Sequence, residues 1–274
     1  MNPLDVPSLA DELIAAYAAR RTDLVPPTAR DAAFDLAAAY AVQAELVGRR
    51  RASGRATVGR KVGFANKAIW RALKLETLVW ASMYDDTVRF APHNEATLDP
   101  SRLCAPKIEP EIVLAMKGVP AAEADAGAVL REVEWLALGF EIIDCVYVDW
   151  KFEPPDFVAA YGLHAALFVG EPLMVTPGNI PMLVEQLPKF TVTLSKNGEV
   201  VGEGTGRNAL RSPALCVGEL AVALARHPPA EPLGAGELVS SGTLTESKPI
   251  RAGEIWTAAV EGIALPGLTL QVGG

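Results

Sequence analysis

Two glutamates one residue apart, Glu109 and Glu111, open the apolar run Lys107-Ile-Glu-Pro-Glu-Ile-Val-Leu, and a third, Glu141, heads Ile142-Ile143-Asp144 on another. On a strand, Glu109 and Glu111 share one face about 7 Å apart at their Cα atoms, with carboxylates free to converge. Three carboxylates with no Cys or His beside them form an all-oxygen, anionic donor set, which suits Mg²⁺ or Mn²⁺ better than Zn²⁺ or copper. Without a cation they repel one another, and some stay protonated. An isolated Glu-x-Glu is most often a solvated edge strand, so the weight rests on the segments around it.

The elements that must hold these groups are visible in the periodicity. Ser8 with Asp11 resembles a capping box, and Leu9, Leu13 and Tyr17 follow at helical spacing. Pro26-Pro27 breaks the chain, and Thr28 with Asp31 caps a second stretch in which Leu36, Tyr40 and Val47 mark one face up to Gly54. Short apolar runs at 57–63, 87–91, 108–116, 136–143 and 165–169 then predict strands. Asn197-Gly198 predicts a two-residue type I′ hairpin, because both central positions need positive φ. Ser212-Pro213 opens a helix to about His227, a strand pair flanks Pro266-Gly267, and helices fill 121–134 and 178–187. With no repeat and no Gly- or Ser-rich linker, the reading is one α+β domain over 1–274, with a helical portion at 1–55 and a sheet-rich body at 56–274.

Composition narrows the partners. The chain has 274 residues, half of them apolar, and a net charge of −8, which disfavours nucleic acid or an anionic membrane surface. Arg49-Arg50-Arg51 ends an Ala-rich helical stretch, where cations complement the helix dipole. Cys104, Cys145 and Cys216 are odd in number and far apart, so neither a disulfide framework nor a thiolate zinc site is indicated, and a reducing cytoplasm fits. No signal peptide is read at the start, and no run approaches the roughly 20 apolar residues of a membrane span.

Several further segments accompany the glutamates in a fixed order: Lys61-Val-Gly-Phe-Ala-Asn66, Asp85-Asp86, Asp149-Trp150-Lys151, Gly204-Thr205-Gly206 before Pro213, and Ser240-Ser241-Gly242. Together they resemble the hydratase/decarboxylase branch of the fumarylacetoacetate hydrolase superfamily, over nearly the whole chain. The resemblance implies a mixed β-sheet roll in which Glu109, Glu111 and Glu141 hold a divalent metal, Mg²⁺ or Mn²⁺. Hydrolases of the superfamily usually offer an aspartate at the third position and an upstream histidine, whereas this chain offers Glu141 and none of its histidines occupies that upstream site.

The implied substrates are 2-oxo acids or their dienols, chelated through the C1 carboxylate and C2 oxygen. The implied activity is hydration of a 2-hydroxy-2,4-dienoate to a 4-hydroxy-2-oxo acid. Decarboxylation of an oxalocrotonate-like acid, C–C hydrolysis or tautomerisation of an acylpyruvate, and a non-catalytic small-acid-binding relative are the alternatives. Lys61 is expected as acid/base or carboxylate contact, its pKa lowered by the cation, with Asp86 and then Asp85 as further catalytic groups. Lys151 either contacts substrate or pairs with Asp149. Where the family commonly shows small hydroxyl residues, this chain reads Tyr161-Gly-Leu-His164, and Arg207 and Arg211 replace small residues. These departures, with Ser241 in place of a threonine, predict that His164, Ser241 and an arginine reading a second acidic group shape a different or larger acid pocket. The resemblance also implies a homo-oligomer and leaves room for a pathway enzyme as partner.

Overall fold

The computed structural model describes residues 5–121, 124–227 and 230–274. Its N-terminal portion is helical: α1 (Val6–Ala18), the single turn α2 (Pro27–Arg30) and α3 (Leu36–Ala52). The caps differ from expectation. Asp5, not Ser8, caps α1, accepting Ser8 N–H at 3.1 Å, and Asp35 caps α3. Thr28 is occupied elsewhere, since its N–H and hydroxyl donate to buried Asp156 at 2.9 and 2.6 Å and tie the N-terminal portion to the body. The core face of α3 is Ala39, Val42, Gln43 and Leu46, one step round from the expected Leu36, Tyr40 and Val47.

The body contains β1 (Thr57–Gly63), β2 (Val79–Tyr84), β3 (Val88–Phe90), β4 (Glu95–Leu98), β5 (Lys107–Met116), β6 (Val133–Ile143), β7 (His164–Val169) and β8 (Leu173–Met174). It continues with β9 (Thr191–Lys196), β10 (Glu199–Thr205), β11 (Leu238–Ser240), β12 (Lys248–Pro249), β13 (Ile255–Glu261) and β14 (Leu268–Val272). Five helices accompany them: α4 (Lys67–Trp70), α5 (Ala126–Arg131), α6 (Pro154–Ala159), α7 (Ile180–Gln186) and α8 (Pro213–Arg226).

One sheet runs β2-β1-β11-β5-β6-β7-β3, with β12 on β5 and β8 on β6, and a second runs β10-β9-β13-β14-β4. Pairs β1–β11, β3–β7 and β4–β14 are parallel and the rest antiparallel, so the fold is the mixed-sheet α+β roll expected. The Asn197-Gly198 hairpin forms as read, with φ of 50° and 85°. Strand β2 was not legible: Val79-Trp-Ala-Ser-Met-Tyr84 is buried on both faces and carries no alternation.

The pleat of the first sheet separates two environments. Even-numbered β5 residues Ile108, Ile112 and Leu114 enter the main apolar core, together with Val129, Leu183 and Leu220 of the helices. Odd-numbered residues face the inside of the roll. One end of that inner face is closed by Met83, Val113, Ala115, Ala137, Leu167 and Leu238. The other end carries Glu109, Glu111 and Glu141, with Glu109 and Glu141 directly opposite in the β5–β6 register. Glu111 faces Gly139, where an added Cβ would come 2.6 Å from the Val113 side chain.

The loop into β5 is pinned to the end of β6. Buried Asp144 accepts N–H bonds from Cys104 (2.8 Å), Ala105 (2.7 Å) and Cys145 (3.1 Å), so it fixes where Lys107 and Glu109 enter the sheet. Asp144→Ala leaves these donors without a partner and is expected to cost roughly 2–4 kcal/mol in urea denaturation.

Candidate metal centre and active-site cavity

Glu109, Glu111 and Glu141 each offer a carboxylate oxygen within 4.8 Å of the others. Two are held from behind. Glu111 Oε2 accepts the Ser240 hydroxyl (2.5 Å) and the Gly242 N–H (2.9 Å), while its Oε1 is buried with no partner. Glu141 Oε1 accepts from His164 Nδ1 (2.9 Å), and the other ring nitrogen meets Thr87 Oγ1 at 2.9 Å. Lys61 Nζ lies 3.0 Å from Glu141 Oε2 and donates its hydrogen bond to the Gly162 carbonyl at 3.1 Å. Gly162 is required there: its φ is +61°, and an added Cβ would sit 2.9 Å from Lys61 Cδ.

Burial, joined by the charges of Glu141 and Glu109, pushes Glu111 well above the usual carboxylate range. Burial likewise pushes Glu109 up to about 7 against the pull of Lys61. At Glu141 burial acts the same way, but Lys61 and His164 outweigh it and hold the carboxylate below its ordinary value. Burial would lower the Lys61 ammonium, yet Glu141, Glu109 and Glu111 hold it above the usual lysine range, the reverse of the lowered pKa expected. With all three carboxylates ionised, the cluster would carry more negative charge than its one ammonium balances, and the raised Glu109 and Glu111 reflect that together with burial. An all-oxygen donor set with an orphaned, buried Glu111 oxygen fits a hard divalent cation.

A cavity of about 460 Å³ opens onto this cluster. Lys61 and Glu109 lie in its wall, Phe64, Ile143, Phe157 and Leu163 make it apolar, and Asn66, Asn208, Thr243 and Thr245 line it with polar groups.

Other expected site residues stand elsewhere. The Thr57↔Tyr84 register places Asp85 and Asp86 at the start of β1, beyond the far side of Lys61 from the cavity. Asp86 is ion-paired with Arg50 and, at 3.3 Å, with Arg55, and Asp85 is exposed, so neither reaches the cavity wall. Lys151 is exposed and pairs with Asp149 at 3.2 Å, while its neighbour Trp150 lines the cavity. Arg207 and Arg211 are exposed and outside the wall, which takes Asn208 instead. Ser241 is buried, but by alternation Ser240 and Gly242 hold Glu111. His164 sits behind Glu141 rather than in the wall. Ser240 and Gly162 lie in segments that the sequence singles out, and Thr87 and Asn208 lie beside others, but none is assigned a role there because each acts through a partner distant in sequence.

No family model matches the chain. It is 30% identical over 226 residues to 4-oxalocrotonate decarboxylase of Pseudomonas sp. strain CF600, covering 82% of this chain and 81% of that one. It is also 30% identical over 225 residues to 2-hydroxypent-2,4-dienoate hydratase of Pseudomonas putida, covering 81% of this chain and 96% of that one. Among solved structures, 4-oxalocrotonate decarboxylase from Pseudomonas putida G7, complexed with magnesium and adipate, matches with a TM-score of 0.85 at 28% identity over 97% of each chain. The fold is that of the fumarylacetoacetate hydrolase scaffold, and the hydratase and decarboxylase relatives make the protein a lyase-type enzyme. Within that class, the chain belongs to the hydratase/decarboxylase branch of the fumarylacetoacetate hydrolase superfamily. Among the described residues, no helix is long and apolar enough to cross a membrane.

Two outcomes follow from the geometry. His164→Ala frees Glu141 Oε1, and calorimetry is expected to show divalent-metal affinity lower by about 10- to 100-fold. Glu109, with its folded pKa raised to about 7, contributes stability below its unfolded pKa that is lost as pH rises through 7. A bound cation offsets that loss, so chelation is expected to lower Tm more at about pH 8 than at about pH 6.

Proposed function

We propose that the protein is a divalent-metal-dependent hydratase that adds water to a 2-hydroxy-2,4-dienoate to give a 4-hydroxy-2-oxo acid, with Mg²⁺ or Mn²⁺ at Glu109, Glu111 and Glu141. The observation that carries this reading is the carboxylate cluster beside a buried lysine at the foot of an open cavity. The hydratase and decarboxylase relatives support it.

When bound, the ion would supply Lewis acidity to the 2-oxygen of a chelating 2-oxo acid. The chain supplies the rest. Ser240, Gly242 and His164 fix two of the carboxylates, so the donors need no reorganisation when the substrate arrives. Lys61 holds a proton at Nζ, aimed by the Gly162 carbonyl, at the point where the cavity meets the carboxylates. Phe64, Phe157 and Leu163 give the conjugated chain an apolar surface to lie against. Asp85 and Asp86 take no part in this scheme.

A decarboxylase of an oxalocrotonate-like diacid is the second reading, and one residue favours it. Lys107 lies one strand repeat from Glu109 on the same face, lines the cavity, rests 3.9 Å from the Trp150 ring centroid, and has no ion-pair partner among the described residues. It is placed to meet a second carboxylate, the task expected of Arg207 or Arg211.

Loss of the ultraviolet chromophore of 2-hydroxypenta-2,4-dienoate should require Mg²⁺ or Mn²⁺ and vanish in Glu109→Ala/Glu111→Ala. Lys61→Met should lower kcat by at least about 100-fold with metal affinity retained. Product analysis then distinguishes water addition from CO₂ release. Metal binding without turnover of either a mono- or a diacid dienoate would sink the proposal.

A further inference from the structure

A second cavity, of about 570 Å³, lies between α3, the β1–β2 edge and the end of α8, and the catalytic reading does not use it. Tyr40 and Trp80 stack at 5.1 Å between ring centroids, and His227 packs on Tyr40 at 4.4 Å, giving a continuous aromatic wall. Further along α3 from Tyr40, Ala41, Ala44 and Gly48 are small and leave the space open.

The polar groups in this wall are incompletely used. Arg60 is 4% exposed and lies with its guanidinium carbon 5.5 Å from the Trp80 ring centroid. Its Nη1 donates to Glu237 (2.7 Å) and to the Gly59 carbonyl, but Nε is buried without a partner and no described residue takes Nη2. That leaves free the Nε–Nη2 edge, the pair of parallel donors that matches a carboxylate. Trp80 Nε1 and the Oε1 of Gln43, which is 4% exposed, are also buried and unpartnered. Arg51 and Arg226 stand at the rim, and their partners Glu231 and Glu76 are 66% and 87% exposed, so these pairings compete weakly with an incoming anion.

We propose that this cavity binds a planar aromatic carboxylate, with its ring against the edges of the Tyr40–Trp80 stack and its carboxylate on the unpaired edge of Arg60. The faces of Tyr40 and Trp80 already meet one another, His227 and Arg60, so a ligand ring meets this stack at its edges, and edge contacts beside a cation favour an aromatic ring over a saturated one. The site adjoins the carboxylate cluster through one strand: Arg60 and Lys61 are consecutive on β1 and face opposite sides, so a ligand that draws on Arg60 acts on the strand that carries Lys61.

Benzoate titrated into the full-length protein by calorimetry should bind with a Kd below about 1 mM, and cyclohexanecarboxylate, equal in charge but not planar, at least ten-fold more weakly. Ala44→Trp fills the cavity from an exposed helix position and leaves the catalytic cavity untouched. It should weaken benzoate at least ten-fold with Tm unchanged, and Arg60→Gln should do the same where it folds. Benzoate affinity unchanged in Ala44→Trp would put the ligand elsewhere and overturn the proposal. So would equal binding of the two acids, or no benzoate binding.

Discussion

The register of β5 against β6 sets two glutamates, Glu109 and Glu141, directly opposite one another at the open end of a buried strand pair, with Glu111 one step further in. Like charges so placed repel, and burial strengthens the repulsion. Much of the surrounding structure answers that constraint. Lys61 brings an ammonium against Glu141, His164 and Ser240 each supply a hydrogen bond, and the Gly242 N–H supplies another. Burial, joined by the neighbouring carboxylates, still raises Glu109 and Glu111, so a hard divalent cation is what would let all three ionise together.

The sheet geometry makes this possible because it is two-sided. Residues of one parity build the apolar core under the helices, which anchors β5 and β6 whatever happens inside the roll. Residues of the other parity change character along the strand, from Val113 and Ala115 at the closed end to Glu111 and Glu109 at the open end. Asp144 then fixes the point where the chain enters β5, so that the change from apolar to acidic falls at the cavity.

What could be read from sequence was what is local. The Glu-x-Glu spacing, the bounds of β1, the Asn197-Gly198 hairpin and the start of α8 follow from period or turn chemistry within a few residues, and each matches. Strand β2 was missed because burial on both faces removes alternation. The roles given to Asp86, Lys151, Arg207 and Arg211 assumed that charge near a motif faces the site. Whether it does depends on which end of β1 the turn joins and which way a loop residue points, and those are tertiary facts. His164 shows the same limit from the other side: it lacks metal-ligand spacing because it meets a carboxylate of the cluster, Glu141, 23 residues away in sequence.

Met83, Val113, Ala115, Ala137, Leu167 and Leu238 fill one end of the inner face of the roll with apolar side chains, and the cavity lined by Lys61 and Glu109 lies at the other. An acid resting against those two groups takes up space that water would otherwise hold, so acid and water compete for one volume of about 460 Å³.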